Sequence, residues 1–354
     1  MSFILSNLIR LNIKKLTPYS SARDEFKGEA SVYLDANENS LGSPLLKWYN
    51  RYPDPLQWKV KEKLGEIKKL PAENMFLGNG SDECIDLLYR CFCEPGIDNV
   101  IIVPPTYGMY EVSANINNVE LRKAPLLPDY QLNLAHIEQL VDDNTKLIWL
   151  CSPNNPTGNS LNREDVETVL NNFNGIVVID EAYINFSKQK SFLHELPEYP
   201  NLVVMQTLSK AWGLAGLRLG MMFASIDIIN VVNKVKPPYN IGQHTQELVL
   251  QALENTGQVN DMIHLLVDMR VALGEVFEQM PTVEKVYPSD ANFLFVKIKQ
   301  AKTVYDFLLT KGIVVRDRSR VVLCEDCLRI TVGTEPENTA LVDALIEWHE
   351  VREL

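Results

Sequence analysis

Two periodicities alternate along this chain. Short, almost wholly apolar runs recur between stretches whose apolar positions fall three and four residues apart. The runs predict strands over Asn99–Val103, Val119–Ala124, Lys146–Leu150, Gly175–Ile179, Leu202–Thr207 and Leu217–Ala224. The stretches predict amphipathic helices over Leu56–Leu70, Asp82–Phe92, Tyr107–Asn115 and Arg163–Phe173. Asn162, with Asp165 three residues on, reads as an approximate capping box opening the last of these. Strands alternating with helices imply an α/β fold with a mostly parallel sheet covered on both faces.

Beyond Lys234 the pattern changes. A long helical stretch from Gln243 to about Gln279 precedes strands near Asn292–Ile298, Ile313–Arg316 and Leu328–Val332. A last helix runs from about Glu337 to Glu350. This part predicts a smaller α+β domain. The turn-rich Asn50–Arg51–Tyr52–Pro53–Asp54–Pro55 marks a boundary before the first long helix. The expected division is 1–45 as an N-terminal arm and part of the small domain, 46–255 as the large domain and 256–354 as the C-terminal small domain. Leu5, Leu8, Ile9 and Leu16 give the arm an apolar side.

Composition narrows the partners. A hydrophobic fraction of 46% suits a sizeable core. The net charge of −12 argues against nucleic acid or an anionic membrane as main partner. An anionic substrate then needs a local basic pocket. No apolar run reaches the ~20 residues of a membrane span. The N-terminus lacks the basic region and cleavage site of a signal peptide, so the cytoplasm is the expected location. Among six cysteines, Cys324 and Cys327 form one CxxC and Cys91 and Cys93 a CxC. Zinc prefers two such pairs or paired histidines, so free thiols and no metal are expected. No GxGxxG follows a strand and no Walker A sequence occurs, which leaves dinucleotides and nucleoside triphosphates without support.

Candidate chemistry sits at predicted strand ends, where open α/β sheets bind ligands. After Thr207, Lys210 stands beside the hydroxyl of Ser209, and a small-residue turn then leads to Arg218. A lysine so placed suits a Schiff base with pyridoxal phosphate (PLP), with Ser209 and Arg218 for its phosphate. A loop lysine near a strand fits the same spacing. Asp180 ends a buried run; it can pair with a pyridine nitrogen or cap a helix. Tyr183 follows three residues on. The turn Cys151–Gly158 is fixed by two prolines and a glycine and presents Asn155. Gly78–Asn79–Gly80–Ser81–Asp82 opens a helix whose N-terminus suits phosphate, or Asp82 only caps it. Tyr107 offers a flat face for a ring.

In chain order, GNGSDE, PPTYGMY, SPNNPTG, VVIDEAY and TLSKAWGLAGLR resemble the fold-type I, class-II PLP-dependent aminotransferases. LTPYSSAR, LDANEN, NRYPDP, GIVVRD and CLRITVGT carry the resemblance over essentially the whole chain. Within that family the chain is similar to the histidinol-phosphate branch. The resemblance implies a large mostly parallel mixed sheet flanked by helices, a smaller α+β domain, and PLP as cofactor. It implies interconversion of L-histidinol phosphate and 2-oxoglutarate with imidazole acetol phosphate and L-glutamate. Lys210 would then hold the cofactor and shuttle the proton, with Asp180 on the pyridine nitrogen. Asn155 and Tyr183 would bond the ring oxygen, and Tyr107 would stack on the ring. Ser209, Arg218 and the backbone near Ser81 and Asp82 would hold the cofactor phosphate, and Thr207 would also belong to the cofactor site. Tyr52 matches a tyrosine that reaches the neighbouring subunit's cofactor, which implies a homodimer with shared sites. Tyr19, Asn37, Arg316 and Arg329 would receive the substrate. Threonine-phosphate decarboxylases and aromatic amino acid aminotransferases share the fold and remain alternatives. Gln206 stands where relatives often have arginine.

Overall fold

The computed structural model describes residues 3–19 and 31–353, with side chains through 350. Among them, seven strands form one sheet in the order β1-β7-β6-β5-β4-β2-β3. These are β1 (Met75–Asn79), β2 (Asn99–Ile102), β3 (Glu120–Lys123), β4 (Thr145–Cys151), β5 (Ile176–Asp180), β6 (Leu202–Thr207) and β7 (Leu219–Ala224). From β3 to β6 all neighbours pair in parallel, and β7 runs antiparallel to both β6 and β1. The central strands β5, β6 and β7 are buried along their whole length, as uninterrupted apolar runs require when both faces are covered.

Strand alternation divides the interior in two. Ile148, Ile179 and Val204 point to one cluster; Trp149, Val178 and Val203 point to the other. Each fully buried side chain of this size contributes about 1.5–3 kcal/mol relative to leaving it exposed. The apolar residues of the arm, Phe3, Leu5, Leu8 and Ile9, pack against the second cluster. The Arg10 N–H donates to the Cys91 carbonyl at 3.1 Å. The described part of the arm therefore packs on the core of the large sheet, whereas the expectation places the arm with the small domain.

A four-stranded antiparallel sheet follows, ordered β10-β11-β9-β8. Its strands are β8 (Val283–Tyr287), β9 (Phe293–Ile298), β10 (Arg316–Asp317) and β11 (Cys327–Thr331). One face of β9, with Leu294, Val296 and Ile298, packs under the helices Thr256–Glu278, Ala301–Thr310 and Glu335–Glu353. The other, with Phe293 and Phe295, joins the core of the large unit. In register, Arg329 stands opposite Phe295, and Arg316 opposite Arg329. Directly opposed residues share a face, so both arginines lie on the side turned to the large sheet.

Two local expectations change. The helical stretch after Gln243 is two helices, Gln243–Leu253 and Thr256–Glu278, separated at Asn255 by a non-helical backbone (φ −108°). Asn162 is the N-cap of Arg163–Asn172, but its side chain caps no backbone N–H; its amide faces the Asp165 carboxylate at 3.4 Å. Aspartate is a residue too short to complete the reciprocal bond of a capping box. All six cysteines are buried and unbridged. Among the described residues no cluster could hold a metal ion, and no helix is long and apolar enough to cross a membrane.

Candidate active site

The C-terminal ends of β4, β5 and β6 open into one cavity of about 280 Å³. Its wall brings together Ser81, Asp82, Tyr107, Asn155, Asp180, Tyr183, Thr207, Ser209, Lys210, Arg218, Arg316 and Arg329, as the motifs predict. Four further residues line it that the motifs do not single out: Cys151, Ala182, Ala215 and Arg318.

Asp180 closes β5 and is 3% exposed. The Tyr110 hydroxyl donates to its Oδ2 at 2.7 Å and the Ala182 N–H to its Oδ1 at 3.1 Å. Tyr110 is itself held by stacking on Trp149, with centroids 4.9 Å apart. Burial pushes the Asp180 carboxyl up to about 6; the Tyr110 and Ala182 bonds oppose that rise. A buried carboxylate whose bonds are both to neutral donors is suited to receive a cationic ring N–H.

Lys210 is open to water through the cavity mouth, yet its amine end is crowded. Loss of solvation lowers its pKa first, with Arg329 and Arg218 adding to the effect and Asp180 and Asp82 opposing it. Its Nζ lies 5.7 Å from the centre of the Tyr183 ring. A lysine that releases its proton more readily serves as nucleophile or base.

Opposite Lys210 the chain builds an anion cradle. The helix Ser81–Phe92 starts after Gly80 with no side-chain cap, so first-turn N–H groups are left for a ligand. Gly80 has φ +77°, and its N–H donates to the Arg218 carbonyl at 2.8 Å. Gly220 permits this closeness: a Cβ there would stand 2.2 Å from Ser81 N. Thr207 Oγ1 accepts from the Ser209 N–H at 3.1 Å, which fixes the turn before Lys210. Arg218 Nη2 lies 3.7 Å from Asp82 Oδ2, and the Tyr107 hydroxyl donates to Asp82 Oδ1 at 3.1 Å.

From the small sheet, Arg329 Nη1 donates to Asn155 Oδ1 at 2.6 Å. Behind the site, buried Glu181 accepts from Phe192 N–H at 2.7 Å and Gln206 Nε2 at 2.9 Å. Gln206 Oε1 in turn accepts from Lys68 Nζ at 2.7 Å. Gln206 thereby ties the end of a helix to the strand ends beside Asp180.

Three predicted residues lie elsewhere. Asn37 and Tyr52 line a separate cavity of about 660 Å³ with Arg51 and His244. Tyr52 stacks on Tyr239 with centroids 4.4 Å apart. Tyr19 is 73% exposed and lines neither cavity. Tyr110 is the functional neighbour that motif reading misses. Its signal is a second tyrosine one helical turn after Tyr107 in PPTYGMY.

The aminotransferase class I and II family model matches residues 38–345. The histidinol-phosphate aminotransferase of Cytophaga hutchinsonii is 52% identical over 345 residues, covering 98% of this chain and 99% of that protein. That of Parabacteroides distasonis is 54% identical over 341 residues, covering 96% and 98%. The crystal structure of histidinol-phosphate aminotransferase from Sinorhizobium meliloti in complex with pyridoxal-5'-phosphate superposes with a TM-score of 0.78. It is 22% identical and covers 88% of this chain and 89% of that one, a likeness of fold alone.

Proposed function

The chain belongs to the class I and II aminotransferases, and we propose that it moves an amino group between L-histidinol phosphate and 2-oxoglutarate, with PLP held at Lys210. It has the fold type I architecture of PLP-dependent enzymes. Relatives at 52% and 54% identity over nearly their full length support the substrate. The observation that carries the reading is one cavity in which a buried carboxylate, an activated lysine and unneutralised guanidiniums face each other.

The residues present fit PLP. Asp180 has the burial and the free charge to hold a proton on the pyridine nitrogen. Asn155 and Tyr183 stand ready for the ring oxygen, Tyr107 for the ring face. The Ser81 end of its helix, Thr207, Ser209 and Arg218 would hold the phosphate. When bound, PLP supplies an electron sink for the carbon that loses its proton. Lys210 is the residue that takes that proton and returns it, and its lowered pKa keeps more of it neutral for that task. Arg329 and Arg316 would orient the substrate's anionic end in a protein whose overall charge repels it.

Tyr52 lies outside its own chain's cavity, which supports its service to a partner's site and hence a homodimer. Asn37 and Tyr19 belong to the same proposal. The two sheets support a large unit over 46–255 and a small one over 256–354. Six unbridged thiols suit the reducing cytoplasm. The test is incubation of purified protein with L-histidinol phosphate and 2-oxoglutarate. Stoichiometric L-glutamate is expected; turnover only of threonine phosphate or phenylalanine would overturn the reading.

A further inference from the structure

A fourth arginine faces the cavity. Arg318 follows β10 and is anchored by its main chain: its N–H donates to the Cys327 carbonyl at 2.9 Å, and its carbonyl accepts from Val321 N–H at 2.9 Å. Its Nε is buried and has no hydrogen-bond partner among the described residues, and neither has that of Arg329. A buried guanidinium N–H without an acceptor is costly unless a ligand brings one. The nearby carboxylates are otherwise engaged: Asp180 with Tyr110 and Ala182, Asp82 with Tyr107 and Arg218, Asp317 with the Ser319 N–H at 2.9 Å.

The arginines are not equivalent in place. Arg329 bonds Asn155, and of the arginines it bears most on Lys210. Arg318 lies two residues beyond Arg316 and is bonded at Cys327, two residues before Arg329, so it extends the Arg316–Arg329 pair along the cavity wall. A group that meets Arg329 must therefore reach further along the wall to meet Arg318 as well. In L-glutamate the α-carboxylate is attached directly to that carbon. In L-histidinol phosphate the same branch carries a methylene, an ester oxygen and then the phosphorus. The side-chain carboxylate of glutamate leaves on the other branch, where histidinol phosphate has its imidazole. Only the phosphate is both long enough and on the right branch to reach past Arg329.

We propose that Arg318 is a specificity-determining substrate-binding residue: it takes the phosphate of the phosphorylated substrate and contributes little to either carboxylate of glutamate. This rests on the histidinol-phosphate reading above. A dianionic phosphate between planar guanidinium forks supplies the acceptors that the buried Nε groups lack.

The test uses the holoenzyme carrying Arg318→Gln and, separately, Arg318→Lys. With Gln, KM for L-histidinol phosphate rises about tenfold or more, the loss expected when a charged hydrogen bond is removed. KM for L-glutamate stays within about twofold by the same logic. Spectral titration of the bound cofactor with L-histidinol phosphate shows the same weakening in the dissociation constant, without turnover. Lys keeps the charge, restores part of the affinity, and carries the test if the Gln variant melts early. Equal increases for both substrates, or no change for either, overturn the role of Arg318. A wild type that turns over L-glutamate but never L-histidinol phosphate overturns the functional reading itself, and this inference with it.

Discussion

The hydroxyl of Tyr110 donates to Asp180 Oδ2 over 2.7 Å, with both side chains buried. That bond is the main favourable contact holding the Asp180 carboxyl down against burial. Tyr110→Phe removes the donor and keeps the ring that stacks on Trp149. The Asp180 carboxyl then titrates higher than its present value of about 6. The acid limb of kcat/KM against pH shifts upward, because ring protonation and carboxylate ionisation must coexist. An unshifted limb would show that Tyr110 only fills space.

Asp180 also predicts how the cofactor-free protein responds to acid. Its carboxyl titrates near 3.8 when unperturbed and near 6 in the fold. Above about 6 it is ionised in both states, and the fold bears the full cost of burying the charge. As pH falls from 6 towards 3.8 the folded state binds its proton first, so stability from this group rises. The Asn variant never carries the charge. Its stability relative to wild type should therefore be more favourable at pH ~7.5 than at pH ~4.5, by about 2 kcal/mol. Denaturant melts of the cofactor-free proteins at the two pH values measure this. The same difference at both would contradict it.

The strands that build this cavity were readable because they are buried on both faces: β5, β6 and β7 are uninterrupted apolar runs. β1 escapes the pattern because MFLGN runs straight into a glycine turn, and β8 because Glu284 and Lys285 are exposed on a strand that covers little. At the site, residues next to strand ends announce themselves through local motifs. Tyr110 does not, since its partner lies seventy positions on and only packing joins them. Arg318 is hidden for another reason. β10 is two residues long, too short for alternation to tell which later side chain turns inward. Tyr52 and Asn37 match family motifs yet sit in a second cavity, because a motif fixes local shape and not which cavity that stretch will line.

Arg329 offers a contrast to Arg318. It lies between Asn155, which it bonds at 2.6 Å, and Lys210, whose ammonium form it disfavours. Arg329→Ala should raise KM for L-histidinol phosphate and for L-glutamate alike, by about tenfold or more for loss of a charged hydrogen bond. It should also raise the pKa of the Lys210 nitrogen, free or joined to the cofactor, since a nearby positive charge is gone. Steady-state kinetics with each donor and the pH titration of cofactor absorbance read the two effects. An increase for one donor alone would assign Arg329 to that donor's anionic group and contradict a shared role.

The anion cradle depends on a backbone approach that only glycine allows. A Cβ on Gly220 would stand 2.2 Å from Ser81 N and 2.4 Å from Gly80 C, and neither is a flexible atom. Gly220→Ala must push β7 away from the start of the helix Ser81–Phe92, at a cost of about 1–3 kcal/mol or more. The same displacement parts the helix N-terminus from Arg218, which is joined to it through the Gly80 N–H. Thermal melting should therefore fall, and affinity for pyridoxal phosphate should fall more than affinity for pyridoxal, which lacks the phosphate. Gly257→Ala is the control, because a Cβ there meets nothing within 4 Å and its helix gains a better former. Equal loss of both ligands in Gly220→Ala would mean that the wedge disturbs the whole cavity and not the phosphate end.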